Sequence, residues 1–254
     1  MTDDLVFNSL LIGVFASALL TVLVLLFVNA PYGRHQSSGW GPTIPVRLGW
    51  VLMESPASLV FLYCYFSGAR AFELAPMILL VLWQLHYLHR SFIYPFQIKV
   101  KPGARTTVLV IALGALYCGI NGYLNGTYIT HYGTHLNRDW LSDPRFVIGV
   151  GLFGFGYYLN KKSDHMLQAL RQQRPGEYQI PYGFGFRWVS MPNYLGEIIT
   201  WSGFALASWS LAGLSFVVFT MANLVPRALA NHRWYRETFT DYPKDRRAVI
   251  PYIL

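Results

Sequence analysis

Two acidic residues interrupt the long apolar runs of this chain, Glu54 and Glu197. An unpaired ionisable group in hydrocarbon is expensive, so a carboxyl there has a partner or a task. Glu54 lies six residues after the start of the apolar run 48–68, and Tyr87 lies seven residues before the end of the run 74–94. At a helical rise of roughly 1.5 Å per residue, both sit about 9–10 Å in from the same end. Antiparallel neighbours therefore place a carboxyl and a phenol at one level, where a hydrogen bond between them is geometrically open. The pair, flanked by His86 and His89, is suited to hydrogen-bond donation and proton exchange in a dry interior. The plainer alternatives are a protonated structural carboxyl bonded to a backbone carbonyl beside Pro56, and a Tyr87 that belongs to an interfacial aromatic belt.

A second constellation collects near the same end. Asn160, Asp164 and Arg171 fall at and beyond the end of the run 146–160, Tyr178 follows, and Asn193 and Glu197 open the next run. Arg227, His232, Arg233 and Tyr235 follow the last one. Singly, each fits a solvated basic rim. Together they surround a cavity with cations for phosphate and with hydrogen-bonding groups for sugar or amide, so a phosphate-bearing ligand is the economical occupant. Nucleic acid is not, because the aromatics lie within the apolar runs and form no basic platform for stacked bases.

Three short motifs lead nowhere. Gly149-Val150-Gly151-Leu152-Phe153-Gly154 matches the dinucleotide fingerprint by letter, but the fingerprint needs a strand before it and a helix after it. An open strand does not survive in lipid, so these glycines are expected to let helices pack closely. Asn125-Gly126-Thr127 is a glycosylation sequon placed at or within the end of an apolar run. His131 and His135 have i, i+4 spacing without a carboxylate or cysteine beside them, and no metal site is expected. Cys64 and Cys118 lie in apolar runs and are expected to be buried small hydrophobes.

The elements that must hold these residues are membrane spans. Hydrophobic residues make up 54% of the chain and charged ones only 13%, well below the roughly 25% usual for soluble domains. Apolar runs at 5–30, 48–68, 74–94, 106–130, 146–160 and 194–225 follow one another. The last is too long for one helix and is expected to break between Ser208 and Gly213, which gives seven spans. Of the twenty Lys and Arg, two fall in 31–47, four in 90–105, five in 161–193 and six beyond 225, seventeen on one side. Arg70, Arg138 and Arg145 are left for the other. The charge bias puts the amino terminus outside and the carboxy terminus in the cytosol. The acidic start Met1-Thr2-Asp3-Asp4 does not read as a cleavable signal, and the absence of repeats or linkers predicts one all-α domain over 1–254. The net charge of +8 follows from this topology and an anionic ligand.

Several segments carry a family likeness. Trp50-Val51-Leu52-Met53-Glu54-Ser55-Pro56, Leu85 through Tyr94, Asn193-Tyr194-Leu195-Gly196-Glu197-Ile198-Ile199 and Asp241-Tyr242-Pro243-Lys244 through Pro251 resemble the steroid 5α-reductases, the type 2 members in particular. The likeness runs over nearly the whole chain. The carboxy-terminal half alone is also similar to sterol reductases and isoprenylcysteine carboxyl methyltransferases. The resemblance implies a seven-helix membrane enzyme that uses NADPH to reduce a Δ4-3-oxo steroid, entering from the bilayer, to its 5α-dihydro product. A monomer in the bacterial inner membrane or endoplasmic reticulum is expected, with the cofactor site facing the cytosol.

By the family pattern Glu54 and Tyr87 hold the steroid's 3-keto oxygen. Tyr32, Arg34, Arg105, Asn160, Asp164, Arg171, Tyr178, Asn193, Glu197, Arg227 and Tyr235 fall where the family contacts or supports the cofactor. Met53 stands where the family usually has glutamine, and Asn231 where the type 2 members have a histidine. The rival expectations are a methyltransferase taking S-adenosylmethionine in the same cavity, and a non-enzymatic sterol or lipid binder.

Overall fold

A computed structural model describes residues 2–27, 41–98, 100, 102–174 and 177–254. Tyr32 and Arg34 lie outside the described residues. The protein is mostly helical: α1 (Thr2–Phe27), α2 (Val46–Ser67), α3 (Leu74–Leu88), α4 (Tyr94–Gln97), α5 (Val108–Thr127), α6 (Pro144–Gln173), α7 (Pro192–Ser208) and α8 (Leu211–Thr238). Against a purely helical expectation, β1 (Thr43–Pro45) and β2 (Arg105–Thr107) pair antiparallel, Thr43 opposite Thr107. This ribbon ties the starts of α2 and α5 together.

The surface is inverted relative to a soluble protein. Ile12, Leu19, Leu59, Tyr63, Val81, Leu113, Leu116 and Phe155 are exposed, while Glu54, Gln84, His86, Asn121, Asn125 and Asn160 are buried. An apolar exterior around a polar interior is what lipid as solvent selects. Four segments are long and apolar enough to cross a membrane by length and composition: Asp4–Leu25, Val46–Ser67, Val108–Tyr132 and Leu211–Thr238. The other three long helices fall short for local reasons. α3 has 15 residues and α7 has 17. α6 runs for 30 residues, past the expected end at Asn160, so Lys161, Lys162, Asp164 and Arg171 are helical rather than in a loop.

Helix ends follow local chemistry. Pro144 occupies the first turn of α6, and the Asp143 side chain caps it by accepting from the Arg145 N–H at 2.8 Å. Hydrogen bonding from the Arg145 side chain holds the Asp143 carboxyl down at about 2, so this cap persists until pH falls that low. The expected break after Ser208 is there. Trp209 is left-handed at φ 45° and ψ 51°, and Ser210 accepts from the Gly213 N–H at 2.8 Å to start α8.

Pair contacts fix relative direction. Trp83 donates to the Ala57 carbonyl at 2.8 Å, Ser58 to Gln84 at 2.6 Å, and Arg90 reaches Glu54, so α2 and α3 run antiparallel. Gly49 faces Ile111, Gly122 faces Ala57 and Gly126 faces Phe61, so α2 and α5 run parallel.

The closest helix contact joins α6 and α7. A Cβ at Gly149 would stand 2.5 Å from the Ala207 nitrogen, one at Gly156 2.4 Å from that of Thr200, and one at Gly196 2.4 Å from that of Asn160. A Cβ at Gly203 would stand 2.4 Å from the Phe153 nitrogen. The fingerprint glycines are thus only partly packing residues. Gly149 belongs to the seam, whereas Gly151 and Gly154 would meet nothing within 4 Å, and Gly156 completes it instead.

Gly156→Ala should lower stability by about 2 kcal/mol, the usual scale of overpacking. Gly151→Ala should leave it unchanged or slightly raised, because alanine is the better helix former. Thermal melts of the detergent-solubilised variants check both, and equal melting temperatures would refute the seam.

Candidate active site

The buried carboxyls stand on α2 and α7, and each meets a base from the carboxy-terminal end of α3. Glu54 Oε1 lies 3.3 Å from Arg90 Nε, and the Cys118 thiol reaches its other oxygen at 3.9 Å. Glu197 Oε1 lies 3.2 Å from His86 Nε2 and accepts from Trp201 Nε1 at 3.1 Å. His86 and Arg90 are four residues apart and so share one face of the turn. Between Leu88 and Tyr94 the helix widens into a π-turn, His89–Ile93. Such a turn rotates the following residues, and it is common at functional sites. The Arg90 guanidinium is held over the Trp50 ring at 4.9 Å and the Tyr94 ring at 5.6 Å.

The expected bond between Glu54 and Tyr87 is not formed. The register of α2 against α3 puts Tyr87 across from Glu54, but no hydrogen bond joins them, and Glu54 turns to Arg90 instead. A cation competes better than a neutral phenol for a buried carboxyl. Nor does Glu54 bond a backbone carbonyl beside Pro56, the plainer alternative. Tyr87 is 4% exposed and is no lipid-facing belt residue. Its ring centroid lies 5.0 Å from Trp83, 5.6 Å from Trp201, 5.1 Å from His86 and 6.5 Å from Phe216. Among the described residues its hydroxyl bonds no protein group, so the phenol is left available at the end of an aromatic chamber.

Beside this chamber open two clefts. One, of about 100 Å³, lies between the end of α6, the 177–179 loop, the start of α7 and the end of α8. Arg171, Tyr178, Asn193 and Tyr235 all line it, so four of the expected ligand residues converge there. Asn231 lines it too, and Arg227 reaches its rim by donating to the Tyr194 hydroxyl at 3.2 Å. The other, of about 230 Å³, lies between His89, Tyr94 and Gln97 and the α6 residues Lys161, Asp164, His165 and Gln168. Asn193 bridges the two by donating to Asp164 at 2.9 Å, and Asn160 donates to the Asn193 carbonyl at 2.9 Å. Both asparagines keep a buried side-chain oxygen without a partner.

Not every expected residue joins in. Arg105 lines neither cleft and bonds Thr43 Oγ1 across the ribbon at 2.9 Å. Glu197 points inward to His86 rather than into either cleft. The sequence motifs settle into structure: Asn125 of the sequon is buried, His135 meets the Ser208 carbonyl at 3.1 Å, and His131 meets Thr130 at 3.3 Å. Cys64 and Cys118 are free and buried. Met53 packs onto α5, where a Cβ at Gly114 would stand 2.5 Å from its Cγ.

Sequence reasoning passed over Arg90, Lys161 and Tyr94. Arg90 was counted as a loop charge, although its spacing of four from His86 and three from Tyr87 was a readable signal. Tyr94, four beyond Arg90, carried the same one.

The fold and chambers define a helical protein with an apolar exterior, a charged interior and a polar double cleft at one end. A profile of 3-oxo-5-alpha-steroid 4-dehydrogenase matches residues 104–254. The bovine (Bos taurus) 3-oxo-5-alpha-steroid 4-dehydrogenase 1 is 41% identical over 238 residues, 91% of each chain. The steroid 5-alpha-reductase DET2 of Gossypium hirsutum is 38% identical over 257 residues, 99% of each. The human 3-oxo-5-alpha-steroid 4-dehydrogenase 1 is 40% identical over 227 residues, 89% of this chain and 86% of the relative. The chain belongs to the 3-oxo-5-alpha-steroid 4-dehydrogenase family, oxidoreductases acting on CH–CH bonds.

Arg90→Met should cost about 3–5 kcal/mol of stability, since it strands a buried carboxylate. Adding Glu54→Gln should restore part of that loss. Unfolding of the two variants in detergent decides it, and independent, additive effects would show that the pair is not coupled.

Proposed function

We propose that this chain is an NADPH-dependent reductase of Δ4-3-oxo steroids. On this reading its seven long helices cross the membrane, the amino terminus is outside and the cofactor cleft is cytosolic. The observation that carries the reading is the unpartnered Tyr87 hydroxyl, set in an aromatic chamber beside a paired buried carboxylate. The antiparallel α2 and α3 and the parallel α2 and α5 support alternating crossings, and the Lys and Arg bias supports the orientation.

The residues present fit a dinucleotide phosphate. Arg171 and Lys161 bring cations to the two clefts, and Asn160 and Asn193 hold buried oxygens ready to accept from amide or amino N–H groups. Asp164, Tyr178 and Tyr235 complete the walls, with Arg227 at the rim. When bound, NADPH supplies the hydride, to C5 of the enone. Tyr87 donates a hydrogen bond to the 3-keto oxygen and stabilises the charge that develops there, as an oxyanion-hole donor does. Glu54, fixed by Arg90 and Cys118, keeps the polar end of the chamber at the level of that phenol. Addition of a proton at C4 completes the reduction. The rings of Trp83, Trp201 and Phe216 exclude water and present flat faces to a fused-ring substrate that enters from the bilayer. The chain works as a monomer. Methyl transfer would leave Tyr87 no oxygen to polarise, and a passive lipid binder would leave the cationic clefts without a purpose.

Purified protein in lipid nanodiscs should oxidise NADPH only when a Δ4-3-oxo steroid is supplied. Tyr87→Phe should lower kcat by about 10²-fold, the usual cost of one oxyanion donor. NADPH affinity, read by fluorescence titration, should hold within a factor of two. Near-normal turnover of that variant would overturn the role of Tyr87. Arg171→Ala should weaken NADPH binding about tenfold or more, and unchanged affinity would remove Arg171 from the phosphate site.

A further inference from the structure

One inward stripe of α5 carries polar groups that the mechanism does not use. Asn125 Nδ2 donates to the Asn121 side-chain oxygen at 2.9 Å and to the Asn121 carbonyl at 3.1 Å. Asn121 Nδ2 and Asn125 Oδ1 are then left buried with no partner, on residues 2% and 1% exposed. Turning either amide does not remove the problem, because one mutual bond cannot use both groups of each amide. A buried amide N–H and a buried oxygen left open side by side cost stability, and together they offer a donor and an acceptor to whatever fills them.

Their direction follows from the helix. Tyr117, one turn before Asn121, stacks on Phe219 at 3.7 Å and has its own buried hydroxyl without a partner. Cys118 meets Glu54, and Gly122 abuts α2. At 100° per residue, Asn121 and Asn125 project between the α8-facing and α2-facing sides, toward the chamber that holds Tyr87. They stand about 4.5 Å and 10.5 Å beyond Cys118 along the axis, on the side away from the clefts. A flat four-ring substrate is roughly two helical turns long, about 11 Å. A substrate of that length with one end at Tyr87 and Glu54 would bring its other end level with this amide pair.

We propose that Asn121 and Asn125 form a hydroxyl-reading site for the ring-D end of the steroid; this rests on the reductase reading above. A hydroxyl is both donor and acceptor, so it can accept from the Asn121 N–H and donate to the Asn125 oxygen. A ketone uses only the donor, and a bare C–H uses neither. A site built for a hydroxyl discriminates strongly against the analogue that lacks it, because its own buried groups go unpaired.

The test compares two Δ4-3-oxo steroids that differ only in a 17β-hydroxyl or a hydrogen at C17. The wild-type protein should favour the hydroxyl compound at least tenfold in kcat/KM, and by a similar factor in equilibrium binding without cofactor, read by tryptophan quenching. A 17-ketone should fall between them. Asn121→Leu and Asn125→Leu should each shrink the preference to threefold or less. Equal kcat/KM for the two steroids, or a preference in turnover without one in binding, overturns the inference and leaves the pair as helix glue. The wild-type comparison stands whether or not the variants fold. Failure to oxidise NADPH with either steroid overturns the underlying reading instead.

Discussion

A charge inside an apolar bundle must find its opposite, and that constraint arranges this molecule. Glu54, buried on α2 beside the Cys118 thiol, is met by the Arg90 guanidinium from the π-turn that follows α3. Arg90 gets there because the helix widens at His89–Ile93 and because Trp50 and Tyr94 receive its flat guanidinium. Glu197 is settled by contacts rather than by a fixed cation, with His86 Nε2 at 3.2 Å and the Trp201 N–H donating at 3.1 Å. Both partners come from one five-residue stretch, so α3 is bolted to α2 on one side and to α7 on the other. Tyr87 lies inside that stretch. Its ring is held by the same two bolts, and its hydroxyl stays free because stronger partners have already taken the carboxyls.

The double cleft depends on a different constraint, the absence of side chains. Gly149, Gly156, Gly196 and Gly203 let α6 and α7 touch backbone to backbone. Close approach at the seam brings Asn160, Asp164 and Asn193 within hydrogen-bonding reach where the two helices leave it. Small residues are how helices associate where burial of apolar surface gives no drive. A wider seam would pull Asn193 away from Asp164 and merge the two clefts into a groove.

Much of this was legible in the residues. Hydropathy located each long helix, and the Ser208–Gly213 break was read correctly because serine and glycine are poor continuers of a helix and Ser210 is a good cap. The level shared by Glu54 and Tyr87 followed from counting residues, since helical rise is nearly constant. What could not be read was choice of partner. Glu54 had Tyr87, Arg90 and a backbone carbonyl within plausible reach, and only the register and the π-turn decide among them. The extension of α6 beyond Asn160 was hidden for a related reason: Lys161, Lys162, Gln168 and Arg171 look like a loop to a hydropathy count, yet lysine, glutamine and arginine are good helix formers. The fingerprint glycines show the limit of letters. Gly149 and Gly156 are seven residues apart, the spacing of one face, and that period rather than the motif marks the glycines at the seam.

The two constraints together say why one end of the bundle can do chemistry. The Arg90–Glu54 pair ties the end of α3 to α2, the His86–Glu197 contact ties it to α7, and the glycine seam ties α7 to α6, so phenol, carboxylates and clefts belong to one continuous set of contacts. On the proposed reading, Tyr87 needs no rearrangement to meet a substrate oxygen, and a donor already in place is worth more in a dry site than one that must first give up another bond. Had Tyr87 bonded Glu54 as the spacing allowed, a substrate would have had to break that bond first. On that reading, the missing Glu54–Tyr87 bond is what leaves the phenol open to a substrate oxygen.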